Sequence, residues 1–182
     1  MSTLKHPRLR EIAGYLDGVR RDLAAVVDRT PAELMTRAPR DDRWSGAQIV
    51  QHLGKVEGST TKLLEGVFAR ALEAGMPVEG NESSLLGSID GFAGSGAVLR
   101  PLVAPQRLRP DPMPDLHASW ESLKAVRERT YRAFATVDGK ALDGVLASHP
   151  FFGPLSGYQW LLFLGKHEER HLAQLRRELA LA

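Results

Sequence analysis

The sequence contains no cysteine, and this absence excludes several kinds of site. Disulfide bonds, thiolate metal ligands and a cysteine nucleophile all require that side chain. A metal ion bound by this chain would therefore use histidine, carboxylate, backbone or water ligands. Any thiol chemistry would have to draw its thiol from another molecule.

The sequence also lacks a long apolar run and a large charge of one sign. The longest strongly apolar run covers residues 160–164, whereas a membrane-spanning helix needs roughly 20 such residues. Residues 1–10 carry charges with no apolar stretch behind them, so they do not resemble a signal peptide. The 24 basic and 22 acidic side chains leave a net charge of +2, and no helix is strongly basic. We therefore expect a cytoplasmic protein with neither a membrane nor a nucleic-acid partner.

The sequence does contain the periodicity of four helices. Its 182 residues, 43% of them hydrophobic, suit a single domain over residues 1–182 with a substantial core. Apolar side chains recur at alternating spacings of three and four, which is typical of amphipathic helices. The four predicted helices cover residues 9–26, 45–74, 115–137 and 156 onwards. No segment has a convincing strand period, so the predicted class is all-α.

Three capping boxes are predicted at helix starts. Ser45 with Gln48 opens the second long helix, and Ser156 with Gln159 opens the fourth. Thr30 with Glu33 has the same spacing and predicts a short helical turn over residues 32–37.

The second and third helices are separated by an unusually long connection, residues 75–114. It contains six glycines and six prolines, which disfavour a continuous helix. Connections of this length are uncommon in compact domains and are typical of functional loops or crossovers. A crossover along the bundle would allow the second and third helices to run parallel.

Three histidines interrupt the apolar faces of these helices. His167 and His171 are four residues apart, so they share one face of the fourth helix. His52 lies between core-facing positions of the second helix. Buried imidazoles need polar partners, and three neutral imidazoles can bind one divalent metal ion with a coordination position left open. Each histidine could instead be a core residue bonded to a carbonyl group or a side chain.

The segment from His167 to His171 also matches His-Glu-x-x-His, the zincin pattern, in which Glu168 would be the general base. Short patterns match often by chance, and few residues remain after His171 to supply a third zincin ligand. We therefore disfavour a metalloprotease. Glu168 stays a candidate base, a hydrogen-bond partner for a ligand imidazole, or a solvated side chain.

Two blocks resemble a known family. Residues 44–53 read WSGAQIVQHL, and residues 149–160 read HPFFGPLSGYQW, followed by HEERHLAQL over residues 167–175. In these blocks the chain is similar to the DinB-like superfamily of metal-binding four-helix bundles, which includes bacillithiol transferase-like proteins. The resemblance implies an up-down-down-up bundle with its long crossover between helices 2 and 3. It also implies a divalent zinc or nickel ion on a histidine triad, at the positions of His52, His167 and His171.

The resemblance implies a function without choosing the reaction. One expectation is a metal-dependent thiol-S-transferase or hydrolase that acts on a small electrophilic substrate, with a low-molecular-weight thiol or water as the nucleophile. The alternative is a non-catalytic metal-binding or stress-response bundle that forms a homodimer. His149 lies in a matching block but is not a usual ligand, and we expect it to anchor its loop or to line the rim of the site.

Overall fold

A computed structural model of the chain describes residues 4–38, 43–90 and 104–181. The helices and strands of these residues are α1 (Pro7–Arg29), α2 (Ala32–Thr36), α3 (Gly46–Glu73), a 3-10 helix (Gln106–Leu108), α4 (Leu116–Ala135), β1 (Leu146–His149), β2 (Gly153–Ser156) and α5 (Gly157–Leu181). The four long helices α1, α3, α4 and α5 form a four-helix bundle, which confirms the predicted fold class.

Two of the three predicted capping boxes are present. Ser45 and Gln48 exchange hydrogen bonds between side chain and backbone at the start of α3, at 2.9 and 3.2 Å. Ser156 and Gln159 do the same before α5. The box predicted at Thr30 is wrong, because its hydroxyl donates back to the carbonyl oxygen of Val26 at 2.7 Å and so satisfies the end of α1.

The contacts between helices define the topology. Along α3 and α4, Gly54 lies against Leu123, and Thr61 is hydrogen-bonded to Thr130, so residue numbers rise together on both helices. These two helices are therefore parallel. Contacts of α3 with α5 run in opposite directions, because Gly46 lies near Leu175 whereas Phe68 lies near Gly157. The arrangement is the up-down-down-up bundle that the family resemblance implies, and it includes the parallel pair that the long connection over residues 75–114 allows.

Helices α1 and α5 approach each other closely at Gly165. A Cβ atom at this position would lie 2.3 Å from Cε1 of Tyr15 and 3.0 Å from Cδ2 of Leu16. Only glycine leaves room for that approach. The contact brings α1 beside the half of α5 that carries His167 and His171.

The prediction that no strands occur is wrong in one place. Strands β1 and β2 form an antiparallel hairpin in which Leu146 pairs with Ser156 and His149 pairs with Gly153. Gly153 has φ of 74°, a left-handed conformation that glycine adopts without strain. The indole N–H of Trp160 donates to the carbonyl oxygen of Ala147, at 3.1 Å, and so fixes the hairpin to α5. Four-residue strands are too short to show a reliable alternating pattern.

The bundle buries two apolar clusters, one toward each end. The first is built from the start of α1, the ends of α3 and α4 and the start of α5, with Phe68, Phe134 and Tyr158 among its largest members. The second joins the end of α1, the starts of α3 and α4 and the later part of α5, around Leu53 and Leu172. Within the described residues, no helix is long and apolar enough to cross a membrane.

Candidate metal centre

The three predicted histidines meet in the structure. His52 lies on α3, and His167 and His171 lie on α5. One ring nitrogen from each residue can be chosen so that all three lie within 4.8 Å of one another. The ring centroids are 5.2 Å apart for His52 and His167, 4.9 Å for His52 and His171, and 4.6 Å for the two histidines of α5. These residues, the histidine triad, could hold a metal ion.

Helix geometry explains this meeting. Two residues four apart on α5 face the same direction one turn apart, and antiparallel α3 brings His52 opposite them. The indole of Trp44, just before α3, contacts two rings of the triad. The ring centroid of Trp44 lies 4.8 Å from that of His52 and 6.2 Å from that of His171. The rings of Trp44 and His171 are stacked.

Hydrogen bonds fix the orientation of two of the imidazoles. Nδ1 of His52 lies 2.7 Å from the carbonyl oxygen of Leu108, and Nδ1 of His171 lies 2.9 Å from Oε1 of Gln174. Both oxygens only accept, so each Nδ1 carries the proton in the neutral ring. Nε2 of both rings then keeps its lone pair, which is the arrangement that metal-binding histidines show when a neighbouring group accepts from the other nitrogen.

His167 is half-buried and is held by ring contacts. Its centroid lies 5.6 Å from the ring of Phe163, which precedes it by one turn of α5. Among residues 4–38, 43–90 and 104–181, neither ring nitrogen of His167 has a hydrogen-bond partner. Within these residues, either nitrogen of the neutral ring can therefore be the one that offers its lone pair to a ligand.

The surroundings of the triad favour neutral imidazoles. Burial lowers the pKa of His171 to about 3, and the positive charges of His52 and Arg170 add to the effect. Burial also lowers the pKa of His167 well below its usual value, with further contributions from the other two histidines. The pKa of His52 is lowered by burial as well, although its bond to Leu108 opposes the shift. Neutral rings are the form that binds metals.

Glu168 makes contacts that sequence reasoning did not foresee. Its side chain is only 2% exposed, and its carboxylate accepts from Arg20 at 2.7 Å and from Arg127 at 2.7 Å. Glu57 completes the group, because it accepts from Arg127 at 2.6 Å and from Arg20 at 3.0 Å. We call Arg20, Glu57, Arg127 and Glu168 the ion quartet. The N–H groups of His52 and His171 are bonded elsewhere, to Leu108 and Gln174.

The sequence contains a signal for buried charges at these positions, although it does not show which of them pair. Each member of the ion quartet interrupts the apolar stripe of its own helix, as Arg20 does between Leu16 and Leu23, and as Arg127 does after Leu123. Burial by itself lowers the pKa of Arg127, but the charges and hydrogen bonds of Glu57 and Glu168 outweigh it, and the pKa is raised. Charged residues are almost never fully buried without a partner, so such positions predict one another.

His149 lies outside the triad in an aromatic cluster. Its ring is stacked on Phe152 with centroids 4.6 Å apart, and it contacts Phe163 at 4.6 Å and Trp160 at 5.1 Å. Burial lowers its pKa to about 4. Its Nδ1 accepts from the backbone N–H of Phe151 at 3.2 Å. These contacts pack the β1–β2 hairpin against α5.

Comparison with known proteins agrees with this geometry. A family model described as the DinB superfamily matches residues 15–175, a span that contains the whole triad. The chain belongs to the DinB superfamily. It is 29% identical over 147 residues to the uncharacterised Bacillus subtilis (strain 168) protein YuaE. That alignment covers 79% of this chain and 82% of YuaE.

A solved structure is similar in fold. It is the crystal structure of TT2238, described as a four-helix bundle protein, with a TM-score of 0.61 and 19% sequence identity. The alignment covers 92% of this chain and 98% of TT2238. At this identity the likeness supports the bundle fold alone.

Proposed function

We propose that His52, His167 and His171 bind one divalent ion, zinc or nickel, and that the protein is a metal-dependent enzyme. Its substrate would be a small electrophile, attacked by an external low-molecular-weight thiol or by water. The observation that carries the proposal is the convergence of three imidazoles with Nδ1 of two of them already bonded. Nitrogen ligands of this kind suit both metals.

The chemistry of such a centre follows from its ligand number. A divalent ion on three imidazoles keeps an open coordination position and lowers the pKa of a water or thiol that occupies it. The role of the chain is to hold three neutral rings at fixed positions, two of them in contact with the ring of Trp44. Since the chain has no cysteine, a transferred thiol would be a second substrate.

The two reactions differ in the bond that forms. In thiol transfer, sulfur bonds to the electrophilic carbon, the leaving group departs with its electron pair, and the thiol proton is released to solvent. In hydrolysis, the oxygen of water bonds to the same carbon, the leaving group departs with its electron pair, and one water proton is released to solvent. We favour neither reaction over the other.

Metal analysis tests the first half of the proposal. Purified protein should contain about one zinc or nickel ion per chain, and His52→Ala, His167→Ala and His171→Ala should each lower that content substantially, because two ligands bind far more weakly than three. His149→Ala is a matched control, since it removes a half-buried histidine outside the triad. Undiminished metal in all three triad variants would refute the site.

Turnover tests the second half. Zinc-loaded or nickel-loaded protein is incubated with an aryl halide, with and without a small thiol such as cysteine, and product is compared with that from the free ion. Product above that background, lost in His171→Ala, would support an enzyme. Bound metal with no turnover would favour the non-catalytic alternative.

A further inference from the structure

The end of the long crossover lies along one stripe of α3. Gln48, Gln51, His52 and Lys55 occupy positions i, i+3, i+4 and i+7, so their side chains line a single face of the helix. All four bond to residues 108–112 of the crossover. The triad histidine His52 is therefore one member of a larger contact between α3 and the crossover.

The contact is made by side chains of α3 and mostly backbone groups of the crossover. The amide of Gln48 donates to the carbonyl oxygens of Asp111 and Pro112, both at 3.1 Å. Gln51 bonds to Asp111 twice, because its N–H group donates to the carboxylate at 2.8 Å and its oxygen accepts from the backbone N–H at 2.7 Å. These bonds fix the position of Asp111 relative to α3.

Lys55 adds a third attachment one turn further along. Its ammonium group donates to the carbonyl oxygen of Arg109 at 3.0 Å and to Oδ1 of Asp111 at 2.8 Å. The crossover thus runs antiparallel to α3, from Lys55 back past Gln51 to Gln48. We call Gln51, Lys55 and Asp111 the crossover network.

The crossover network is attached next to the group that orients His52. The 3-10 helix ends at Leu108, and the backbone N–H of Leu108 donates to Pro105 at 2.8 Å. Because the 3-10 helix ends at Leu108, its carbonyl oxygen receives no hydrogen bond from a following helical turn. It is therefore available to Nδ1 of His52, at 2.7 Å. Arg109, the next residue, is held by Lys55.

We propose that Gln51, Lys55 and Asp111 are positioning residues of the metal site, an inference that rests on the proposed function. They hold the Leu108 carbonyl on Nδ1 of His52, which keeps that proton in place and leaves Nε2 as the ligand atom. The hydrogen bonds of these three side chains go to the crossover or to one another, and not to a triad histidine. They act through the crossover backbone.

The expected effect follows from the behaviour of groups that orient metal ligands. Loss of a direct hydrogen-bond partner of a ligand histidine typically lowers metal affinity by roughly 10- to 100-fold. The crossover network acts one step further away, and Asp111 is 63% exposed, so each contact is weak by itself. We expect about a tenfold loss when two members are removed together.

The test measures zinc affinity by competition with a chromophoric chelator. The double variant Gln51→Ala, Asp111→Ala should bind zinc about tenfold more weakly at unchanged stoichiometry. Glu65→Ala is the control, since it breaks an exposed contact of the same helix with Arg129 and touches no crossover residue. It should bind zinc as the wild type does.

A second measurement separates positioning from general destabilisation. Nitrogen-15 NMR of the metal-free protein reports which ring nitrogen of His52 carries the proton, and the double variant should lose the single Nδ1–H form seen in the wild type. Wild-type-like zinc affinity in the double variant would overturn the inference. If the wild type itself bound no zinc, the proposed function would fail, and an unchanged His52 tautomer in the variant would overturn the positioning role independently.

Discussion

Two buried polar regions of this bundle both include residues of α3 and α5, yet they behave oppositely. The ion quartet takes one residue from each long helix, and its two carboxylates and two guanidinium groups balance in charge. The triad takes its members from α3 and α5 alone, and its three rings carry no compensating charge. The charged groups of the quartet pair with one another, whereas ring nitrogens of the triad face one another without such pairing.

The position of the quartet explains its role. On every long helix its residue falls between members of the two apolar clusters, as Glu57 does between Leu53 and Leu64 and as Glu168 does between Leu164 and Leu172. It therefore forms a polar layer across the bundle. Because an unpaired buried charge is costly, this layer penalises any helix register that would separate its members. The charges of the quartet pair with one another and stabilise the fold, whereas the ring nitrogens of the triad lack such pairing and are suited to bind a ligand.

The largest effect should come from breaking the quartet. Glu57→Ala leaves the buried Arg127 without its closest carboxylate, and we expect the free energy of unfolding to fall by about 3 to 5 kcal/mol. Urea denaturation measures this loss. Glu65→Ala provides the comparison, because it removes another α3–α4 pair, with Arg129, that is largely exposed.

Glu65→Ala should leave the urea midpoint almost unchanged, since exposed pairs contribute little. In metal-free protein, His171→Ala should also lower the free energy of unfolding much less than Glu57→Ala does, because no charge loses its partner. Equal losses in Glu57→Ala and Glu65→Ala would show that burial of the quartet does not matter to stability.

A smaller effect should distinguish the triad by its response to metal. Zinc at about 100 times its dissociation constant should stabilise the folded chain by about 2.7 kcal/mol, or roughly 5 to 10 °C in the unfolding temperature. Thermal denaturation with and without zinc measures this shift. His171→Ala should abolish it and Glu65→Ala should not. Magnesium, which prefers oxygen ligands, should produce no shift with the wild type.

The last comparison concerns the contribution of His171 to the pH dependence of the metal-free protein. The folded pKa of His171 is about 3, below the ordinary value of 6.5, so the unfolded chain binds more protons between these limits. Stability should therefore be full above pH 6.5 and decline as the pH falls toward 3. Unfolding midpoints from pH 7 to pH 4.5 measure the decline. His171→Asn should make the decline shallower, while His52, His149 and His167, whose pKa values are also lowered by burial, continue to contribute to it. An identical slope in that variant would contradict burial of a neutral ring at His171.

The sequence predicted much of this framework because its signals are local. Capping boxes at Ser45 and Ser156 depend on residues three apart, and the spacing of His167 and His171 is a property of one helix. The box at Thr30 failed because its hydroxyl has a competing acceptor in the preceding turn. The hairpin was missed because its pairing joins strands of only four residues.

Contacts between distant segments were beyond the reach of local patterns. The partnership of Glu168 with Arg20 joins residues 148 positions apart, and the bond from His52 to Leu108 spans 56 positions. The adjacency of Glu168 to His167 in the sequence makes it a candidate base or imidazole partner. On a helix, adjacent residues point in different directions, and its carboxylate faces the bundle interior beside Arg127.

The sequence by itself determined the helices, the long crossover, the absence of thiol ligands and the three histidines that could share an ion. These follow from composition, capping and helical spacing, which are independent of partners far along the chain. Only the tertiary structure decided which nitrogen of His52 and His171 is left available, and that Glu168 belongs to the quartet. Those outcomes depend on which groups meet when antiparallel α3 and α5 pack together and the crossover closes over His52.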